Sequence, residues 1–172
     1  AWAAMPELPE VETMRRGIAA IQGARVADVV RPKSPRLRPM TIEPAAPKLR
    51  ARMRGARIAD VSRTGKRVVI VLDTGDRLVF EPRMTGLILL CDPPTEEHVR
   101  LRVVLEGGPC EELLIWDRRG LGTIRLLDPA GFAAACGPPK IGPDALGLNL
   151  ATFRTRLEGR RRPIKVALLD QA

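Results

Sequence analysis

Histidine, cysteine and tyrosine are scarce or missing in this chain of 172 residues. The single histidine, His98, excludes sites that are built from several imidazoles. The three cysteines are odd in number and far apart, a spacing that fits neither a disulfide framework nor a C-x-x-C zinc half-site. Tyrosine is absent and aromatic residues total 3%, which disfavours a protein that binds single strands by base stacking. We expect no metal and no cofactor in this chain.

Long apolar runs are also missing. No stretch approaches the roughly 18 residues that a membrane-spanning helix needs. The opening AWAAM lacks the basic and apolar regions of a signal peptide. We therefore expect a cytoplasmic protein without a membrane partner, with room for one domain or one domain and part of a second.

Positive charge is in excess. Lysine and arginine total 29 against 20 acidic residues, which gives a formal net charge of +9. Such an excess favours a polyanionic partner, because neutralising phosphates releases condensed counterions. A basic surface that serves only solubility is the alternative interpretation.

The apolar pattern predicts an α+β fold with a β core. Helical spacing of Val11, Met14, Ile18 and Ile21 predicts one amphipathic helix from Pro9 to Gly23. Residues 31–47 are rich in proline and predict an irregular loop that follows a short strand. Residues 56–127 hold short apolar runs separated by Gly, Asp and Pro, which indicates an antiparallel β-sandwich or barrel. After a linker at PPKIGPD, the segments FRTRL and PIKVALLDQ look helical, with Pro163 at a helix start.

Pro6 raises a chemical question because Met5 precedes it. If Met5 were the initiator and were removed, Pro6 would carry a free secondary amine, a nucleophile that forms an iminium ion with an aldehyde-like carbon. Inside a chain the same nitrogen is an amide and cannot do this. The alternative is that Pro6 and Pro9 only set φ for entry into a helix.

Five ordered motifs resemble one protein family. PELPEVET at residues 6–13 resembles the N-terminal signature of the formamidopyrimidine-DNA glycosylase and endonuclease VIII family. SRTGKRVVI resembles the family's lysine-bearing hairpin, PRMTG its R/G-M-[ST]-G loop and WDRRGLGT its D-x-R-R-F-G-T loop. IGPDAL together with RRRPIKVALLDQ resembles the start of its helix-two-turn-helix domain. The resemblance extends from Pro6 to Gln171.

This resemblance implies a bifunctional enzyme of base-excision repair. Such enzymes excise oxidised purines, such as 8-oxoguanine and formamidopyrimidines, and nick the abasic strand by β,δ-elimination. By the resemblance, Pro6 is the nucleophile at C1′, Glu7 is the acid/base at the sugar, and Lys66 assists the nucleophile and holds a phosphate. Taken alone, Glu7 is equally explained by the helix dipole and Lys66 by a solvated turn.

Further residues correspond to the family's DNA-binding set. Met84, Arg119 and Leu121 match the side chains that fill the space left by the extruded base, an apolar wedge with an arginine. Glu10 is a candidate support for the catalytic pocket, and Lys165 a candidate phosphate contact. Ordinary core positions would explain Met84 and Leu121, and a solvated helix face would explain Lys165.

The chain departs from the family pattern in four places. AWAAM precedes Pro6, and the family's second arginine and aromatic wedge are replaced by Gly120 and Leu121. The second half of the helix-two-turn-helix and the zinc finger, which carries the family's structural zinc, are missing. We interpret residues 1–5 as an N-terminal extension, 6–136 as a catalytic β-sandwich domain flanked by helices, and 137–172 as the truncated start of the helical domain. We expect DNA binding that is weak and strongly salt-dependent.

The expected partner is double-stranded DNA that contains oxidised bases or abasic sites. We expect a monomer in a bacterial cytoplasm, associated with the nucleoid. A noncatalytic damaged-DNA-binding relative or an inactive fragment is the alternative function, favoured by the residues before Pro6 and by Leu121. A basic RNA-binding β-domain is a third possibility, which leaves the five motifs unexplained.

Overall fold

Nine strands form two sheets in the computed structural model, which describes residues 6–33, 37–138, 140–159 and 161–169. The strands are β1 (Arg25–Val30), β2 (Thr41–Glu43), β3 (Ile58–Thr64), β4 (Arg67–Leu72), β5 (Arg77–Glu81), β6 (Gly86–Leu89), β7 (Val99–Glu106), β8 (Glu112–Asp117) and β9 (Thr123–Leu127). One sheet has the order β1-β7-β8-β6 and the other the order β2-β9-β5-β4-β3. All pairs are antiparallel except β2 with β9.

Alternation along the strands places the core between the two sheets. In β4, Val68 and Ile70 point into a cluster that draws residues from both sheets, whereas Val69 and Val71 point to the outer face. Successive side chains of a strand lie on opposite faces, so one apolar run can serve both surfaces. The predicted antiparallel β-sandwich is confirmed.

Two helices close the two open sides of this sandwich. The helices of the described residues are α1 (Leu8–Gly17), α2 (Ala46–Met53), α3 (Pro129–Cys136), α4 (Leu150–Leu157) and α5 (Ile164–Leu169). α1 contacts β3 and β6, which are edge strands of different sheets, and α2 contacts the opposite edges, β1 and β2. The predicted α+β class, with helices flanking the sandwich, is therefore confirmed. No helix in the described part of the chain is long and apolar enough to cross a membrane.

Strand register brings three chain reversals to one end of the sandwich. Glu81, the last residue of β5, pairs with Thr123, the first of β9. Gly86, the first residue of β6, pairs with Asp117, the last of β8. The turn 65–66, the loop 82–85 and the loop 118–122 consequently lie together, and we call this region the site end.

The first helix is shorter than predicted. α1 ends at Gly17, and a single 3-10 turn, Ala19–Ile21, replaces the predicted continuation to Gly23. Residues three apart share a face in a 3-10 helix, so Ile18 and Ile21 still reach the core. The prediction was wrong because a spacing of three residues, as between Ile18 and Ile21, places two side chains on one face in an α-helix and in a 3-10 helix alike.

The prediction of an irregular loop over residues 31–47 was also wrong in part. It contains β2 and the beginning of α2. β2 pairs with β9, which lies far along the chain, so local sequence does not indicate it. Pro47 stands in the first turn of α2, where a missing N–H costs no hydrogen bond.

The C-terminal segment holds the two helices that the sequence predicted there, α4 and α5. Residues before them contact the sandwich, because Ile141 packs with Cys136 on its outer face and Asp144 pairs with Arg63. The assignment of residues 137–172 to a separate domain stays a prediction. The predicted extension, residues 1–5, lies outside the described residues.

Candidate active site

A tight hairpin turn brings Lys66 to the N-terminus of α1. Gly65 and Lys66 form the two-residue loop between β3 and β4, and Gly65 has a φ of 57°, which glycine adopts without steric cost. Lys66 Nζ forms an ion pair with Glu7 Oε2. Glu7 caps α1 and directly follows Pro6, which is half-buried. The structure thus brings together Lys66 and Glu7, two residues that the resemblance implies are catalytic.

Glu10 fixes the backbone at this point. Its Oε2 accepts a hydrogen bond of 3.0 Å from the backbone N–H of Glu7. That N–H belongs to the peptide that joins Pro6 to Glu7. Glu10 therefore restricts the orientation of the residue predicted to be the nucleophile, in addition to its stabilising effect on the helix N-terminus.

An ionic cluster ties α1 to the hairpin. The Arg63 side chain is 4% exposed and donates hydrogen bonds to Glu12 Oε2 (3.1 Å) and to the Gly65 carbonyl (2.8 Å). Hydrogen bonds from Arg15 and Arg16, and then from Arg63, lower the pKa of Glu12 to about 2. The cluster holds the turn that carries Lys66 against the helix that begins at Glu7.

Arg63 also reaches the segment before α4. It donates a hydrogen bond of 2.5 Å to Asp144 Oδ2. Burial alone would raise the pKa of Asp144, but the bonds from Arg63 and from the Leu146 N–H outweigh it, and this pKa lies below its usual range. Sequence reasoning missed Arg63 and Glu12. Both residues lie in motifs that carry the resemblance, and the spacing of Glu12 from Arg15 and Arg16 indicates local ion pairs, but no local pattern indicates that Arg63 reaches Glu12 or Asp144.

The loop that carries Met84 is held by close packing between the backbones of Gly86 and Pro82. The Gly86 N–H bonds to the Pro82 carbonyl at 2.9 Å, and a Cβ on Gly86 would lie 2.6 Å from that oxygen. Arg83 has a φ of 54°, and its guanidinium pairs with Glu81 at 2.8 Å. Met84 is half-buried at the centre of this loop.

The second loop of the site end carries Arg119 and Leu121. Arg119 is exposed and Leu121 is half-buried. Between them, Gly120 has a φ of 62°, and a Cβ there would lie 2.8 Å from the carbonyl oxygen of Arg38. The backbone of this loop therefore favours glycine at the position where the family pattern has its second arginine.

A buried carboxylate joins the two loops. Asp117 is fully buried and accepts hydrogen bonds from Thr85 Oγ1 (2.6 Å), the Arg119 N–H (3.0 Å) and the Gly122 N–H (2.8 Å). Thr85 lies in the Met84 loop, whereas the two amides belong to the other loop. The structure thus brings Met84, Arg119 and Leu121 to neighbouring loops.

Positive charge surrounds these loops. Exposed cations of the site end and of the chain leading into β2 include Arg31, Lys33, Arg38, Arg83, Arg118 and Arg119. Lys165 lies elsewhere, exposed on α5. A surface of this charge suits a phosphate backbone.

The residues present do not fit a structural zinc ion. Cys91 is exposed, Cys110 is partly buried and Cys136 is buried, where burial raises the pKa of its thiol. Across the described ranges, His, Cys, Asp and Glu side chains form no group of three that could hold a metal.

Comparison with known proteins agrees with the five motifs. The chain matches the sequence pattern of the formamidopyrimidine-DNA glycosylase N-terminal domain over residues 5–124. It is 38% identical to the formamidopyrimidine-DNA glycosylase of Rhizorhabdus wittichii over 173 residues, which covers 97% of this chain and 60% of the relative. It is 34% identical to the enzyme of that name from Chloroflexus aurantiacus, covering 97% of this chain and 59% of the relative.

Solved structures agree as well. The MutM (Fpg) protein of Thermus thermophilus is 31% identical, with a TM-score of 0.71 over 96% of this chain and 57% of that protein. Lactococcus lactis Fpg, solved in complex with DNA containing an abasic site, is 27% identical, with a TM-score of 0.72 over 96% of this chain and 61% of that protein. The chain thus spans about three fifths of the length of these relatives. Because the sequence pattern matches over residues 5–124, and identity and fold agree over nearly the whole length, this chain belongs to the formamidopyrimidine-DNA glycosylase family.

Proposed function

We propose that this chain is the catalytic part of a base-excision DNA glycosylase that also cleaves the abasic strand. The observation that carries the proposal is the ion pair between Lys66 and Glu7, immediately after Pro6. A carboxyl and an ammonium group beside an amine supply the proton transfers that excision and strand cleavage need.

The chemistry begins with the nitrogen of Pro6. Its lone pair attacks C1′ while the bond from C1′ to the damaged base breaks, and the base leaves with the bonding pair and takes a proton. Glu7 then protonates O4′ as the C1′–O4′ bond breaks, and the nitrogen loses its own proton to form an iminium ion. Removal of protons from C2′ and then C4′ expels the 3′ and 5′ phosphates, and water releases the sugar remnant.

This route requires a free amine at Pro6. In the chain as written, Met5 acylates that nitrogen and delocalises its lone pair. The proposal therefore includes removal of the residues that precede Pro6. Lys66, on a restrained turn, would neutralise a phosphate next to the reacting sugar.

The site-end loops would extrude the base and hold its partner. Met84 and Leu121 offer apolar wedges, and Arg119 offers donors to the orphaned base. The proposed substrate is double-stranded DNA with oxidised purines or abasic sites. Relatives from Lactococcus lactis were solved with DNA containing an abasic site or Fapy-dG, which supports this proposal. Lys165 would contact a phosphate, and the protein would act as a monomer in a bacterial cytoplasm.

Borohydride trapping tests the proposed function. A labelled duplex with one abasic site is incubated with the chain as written and with a form that starts at Pro6, and reduction locks any iminium ion into a covalent adduct. We expect an adduct only from the form that starts at Pro6. Equal adducts from both forms would assign the nucleophile to another residue, and no adduct from a folded Pro6 form would overturn the proposal.

Acylation of Pro6 by Met5 favours a second candidate, a noncatalytic protein that binds damaged DNA. Such a protein would use the site-end loops without the amine. It would bind an abasic duplex in preference to an undamaged one, yet neither form would yield an adduct.

A further inference from the structure

We propose that Thr85 and Asp117 lock the Met84 loop and the Arg119–Leu121 loop into one unit, so that the three side chains enter the duplex together. This proposal rests on the proposed function, because it assumes that these loops enter DNA. Thr85 and Asp117 are positioning residues here, since they act through the loops and not on the reacting atoms.

The first support is the way in which Thr85 and Asp117 share hydrogen bonds. Thr85 Oγ1 donates to Asp117 Oδ1 at 2.6 Å and also accepts from the Arg119 N–H at 3.1 Å. The same N–H lies 3.0 Å from Asp117 Oδ1. If one loop moved without the other, the hydrogen bonds that join the two loops would therefore break.

The second support is the burial of this junction. Asp117 is 0% exposed and Gly122 packs closely on it, because a Cβ on Gly122 would lie 3.1 Å from Asp117 Oδ2. Losing a partner of a buried carboxylate costs more than losing one in water, because no solvent replaces the hydrogen bond. The arrangement therefore resists separate motion of the loops.

Arg100 adds a third segment to the junction. It is 6% exposed, and its guanidinium donates to the carbonyls of Asp117 (2.7 Å), Arg38 (3.0 Å) and Arg118 (3.4 Å). Arg38 lies just before β2, so the chain that crosses behind the loops is tied to them. Gly120 packs on the same Arg38 carbonyl, which leaves little room for the second loop to move back.

The variant Thr85→Val tests this lock with little change in volume. Thr85→Ser keeps the hydroxyl and serves as the rescue, and Thr74→Val, in the exposed turn after β4 at the opposite end of the sandwich, is the matched control. All variants start at Pro6. The probe is a duplex with 2-aminopurine opposite a tetrahydrofuran abasic analogue, at low salt and saturating protein, because displacement of the orphaned base changes its fluorescence.

We expect the fluorescence change to fall to less than half in Thr85→Val and to stay at the unsubstituted level in Thr85→Ser and Thr74→Val. A double-mutant cycle of the duplex affinity, with Met84→Ala and Arg119→Ala, gives a second measurement. With Thr85 present, the fold-change in Kd of the double variant should differ severalfold from the product of the fold-changes of the two single variants. In the Thr85→Val background, the two fold-changes should simply multiply.

The outcomes separate this proposal from the function on which it rests. If Thr85→Val matches the unsubstituted protein in fluorescence and in the cycle, the lock is overturned while borohydride trapping still stands as evidence for the enzyme. If the unsubstituted protein binds the duplex without any fluorescence change, the loops do not enter DNA and the lock is overturned as well. Reduced fluorescence in Thr85→Val, with trapping of a preformed abasic site changed less than about threefold, supports the lock, because Pro6, Glu7 and Lys66 are untouched.

Discussion

At the scale of single residues, the site depends on charges placed around the first turn of α1. Lys66 meets Glu7, Glu10 holds the Glu7 backbone, and Glu12 anchors the hairpin through Arg63. These contacts differ in burial. The first pair is accessible, whereas Arg63 is almost fully buried, so we expect the first pair to affect chemistry and the buried contact to affect stability.

Lys66→Met should remove activity without unfolding the protein. The two partners are 31% and 48% exposed, and exposed ion pairs add little to stability. In the form that starts at Pro6, we expect the rate of borohydride trapping to fall about 100-fold, the size of a typical proton-transfer contribution. The melting temperature should stay within about 2 °C. Lys48→Met, on the exposed face of α2, is the control, and trapping by Lys66→Met at the control rate would remove Lys66 from the mechanism.

Glu12 should make stability depend on acid pH. Hydrogen bonds from Arg15, Arg16 and Arg63 lower its pKa from an ordinary 4.5 to about 2 in the folded protein. Its ionised form therefore stabilises the fold above pH 4.5, and this contribution disappears as the pH falls towards 2.

Urea unfolding between pH 6 and pH 2 measures this effect. We expect Glu12→Gln to be less stable than the unsubstituted chain by on the order of 2 kcal/mol at pH 6, with the difference vanishing near pH 2. Glu111→Gln, in the exposed turn between β7 and β8, should show no such convergence. A difference for Glu12→Gln that is constant with pH would mean that its charge is not responsible.

At the scale of elements, the site is made from ends of strands. The turn 65–66 and the loops 82–85 and 118–122 are short, and each takes its shape from the strands on either side. Tight packing at Gly86 fixes the conformation of the Met84 loop. A backbone change there should therefore lower both the free energy of unfolding and the affinity for DNA.

Gly86→Ala should open the Met84 loop. The new Cβ would lie 2.6 Å from the Pro82 carbonyl oxygen and 2.8 Å from Phe80 Cζ, so the backbone must shift. We expect a loss of about 1–3 kcal/mol in the free energy of unfolding. Weaker binding of an abasic duplex should accompany this loss.

Gly17→Ala is the matched control. Its Cβ would meet nothing within 4 Å, and the residue lies in α1. This change should be neutral or stabilise by up to about 1 kcal/mol. Equal unfolding free energies for both variants, measured in urea, would contradict the packing argument.

The strands and the site loops differ in how far sequence could predict them. The short apolar runs in KRVVIVL and VRLRVVL predict strands directly, because these strands are buried or half-buried on both faces. β2 was missed because it exists only through pairing with β9. α3 was missed although Asp128 caps it, accepting from the Gly131 N–H at 2.6 Å, and Pro129 follows, which is a readable helix start.

Candidate site residues were found by resemblance, and their neighbours were not. Pro6, Glu7 and Lys66 belong to sequence motifs, so their numbers could be assigned without a structure. Arg63 and Asp117 also lie in such motifs, but they act through contacts between distant segments, and no local pattern separates a buried arginine or aspartate from an exposed one. Their importance became visible only with the fold.

At the scale of the whole molecule, the chain carries a net charge of +9, so its affinity for a polyanionic partner depends on the salt concentration. Exposed arginines and a lysine lie around the site-end loops. Binding through such a surface releases counterions and so weakens with salt.

Affinity for an abasic duplex should fall about 100-fold or more between 50 and 200 mM salt, as expected for roughly four neutralised phosphates. Fluorescence anisotropy measures the slope. Arg118→Glu, at the site end, should make the slope shallower by about one unit or more, whereas Lys48→Glu on α2 should leave it unchanged. A tight complex whose affinity does not change with salt would contradict this prediction.

The position of α1 between two sheet edges has a consequence for how the protein loses activity on heating. Val11 and Ile18 of this segment belong to the central core, and Glu7 begins the same helix. The helix cannot detach, and so disorder the end that carries Pro6 and Glu7, without letting water into the space between the sheets. We therefore expect no intermediate that keeps the sandwich but lacks the site, so that inactivation and global unfolding coincide.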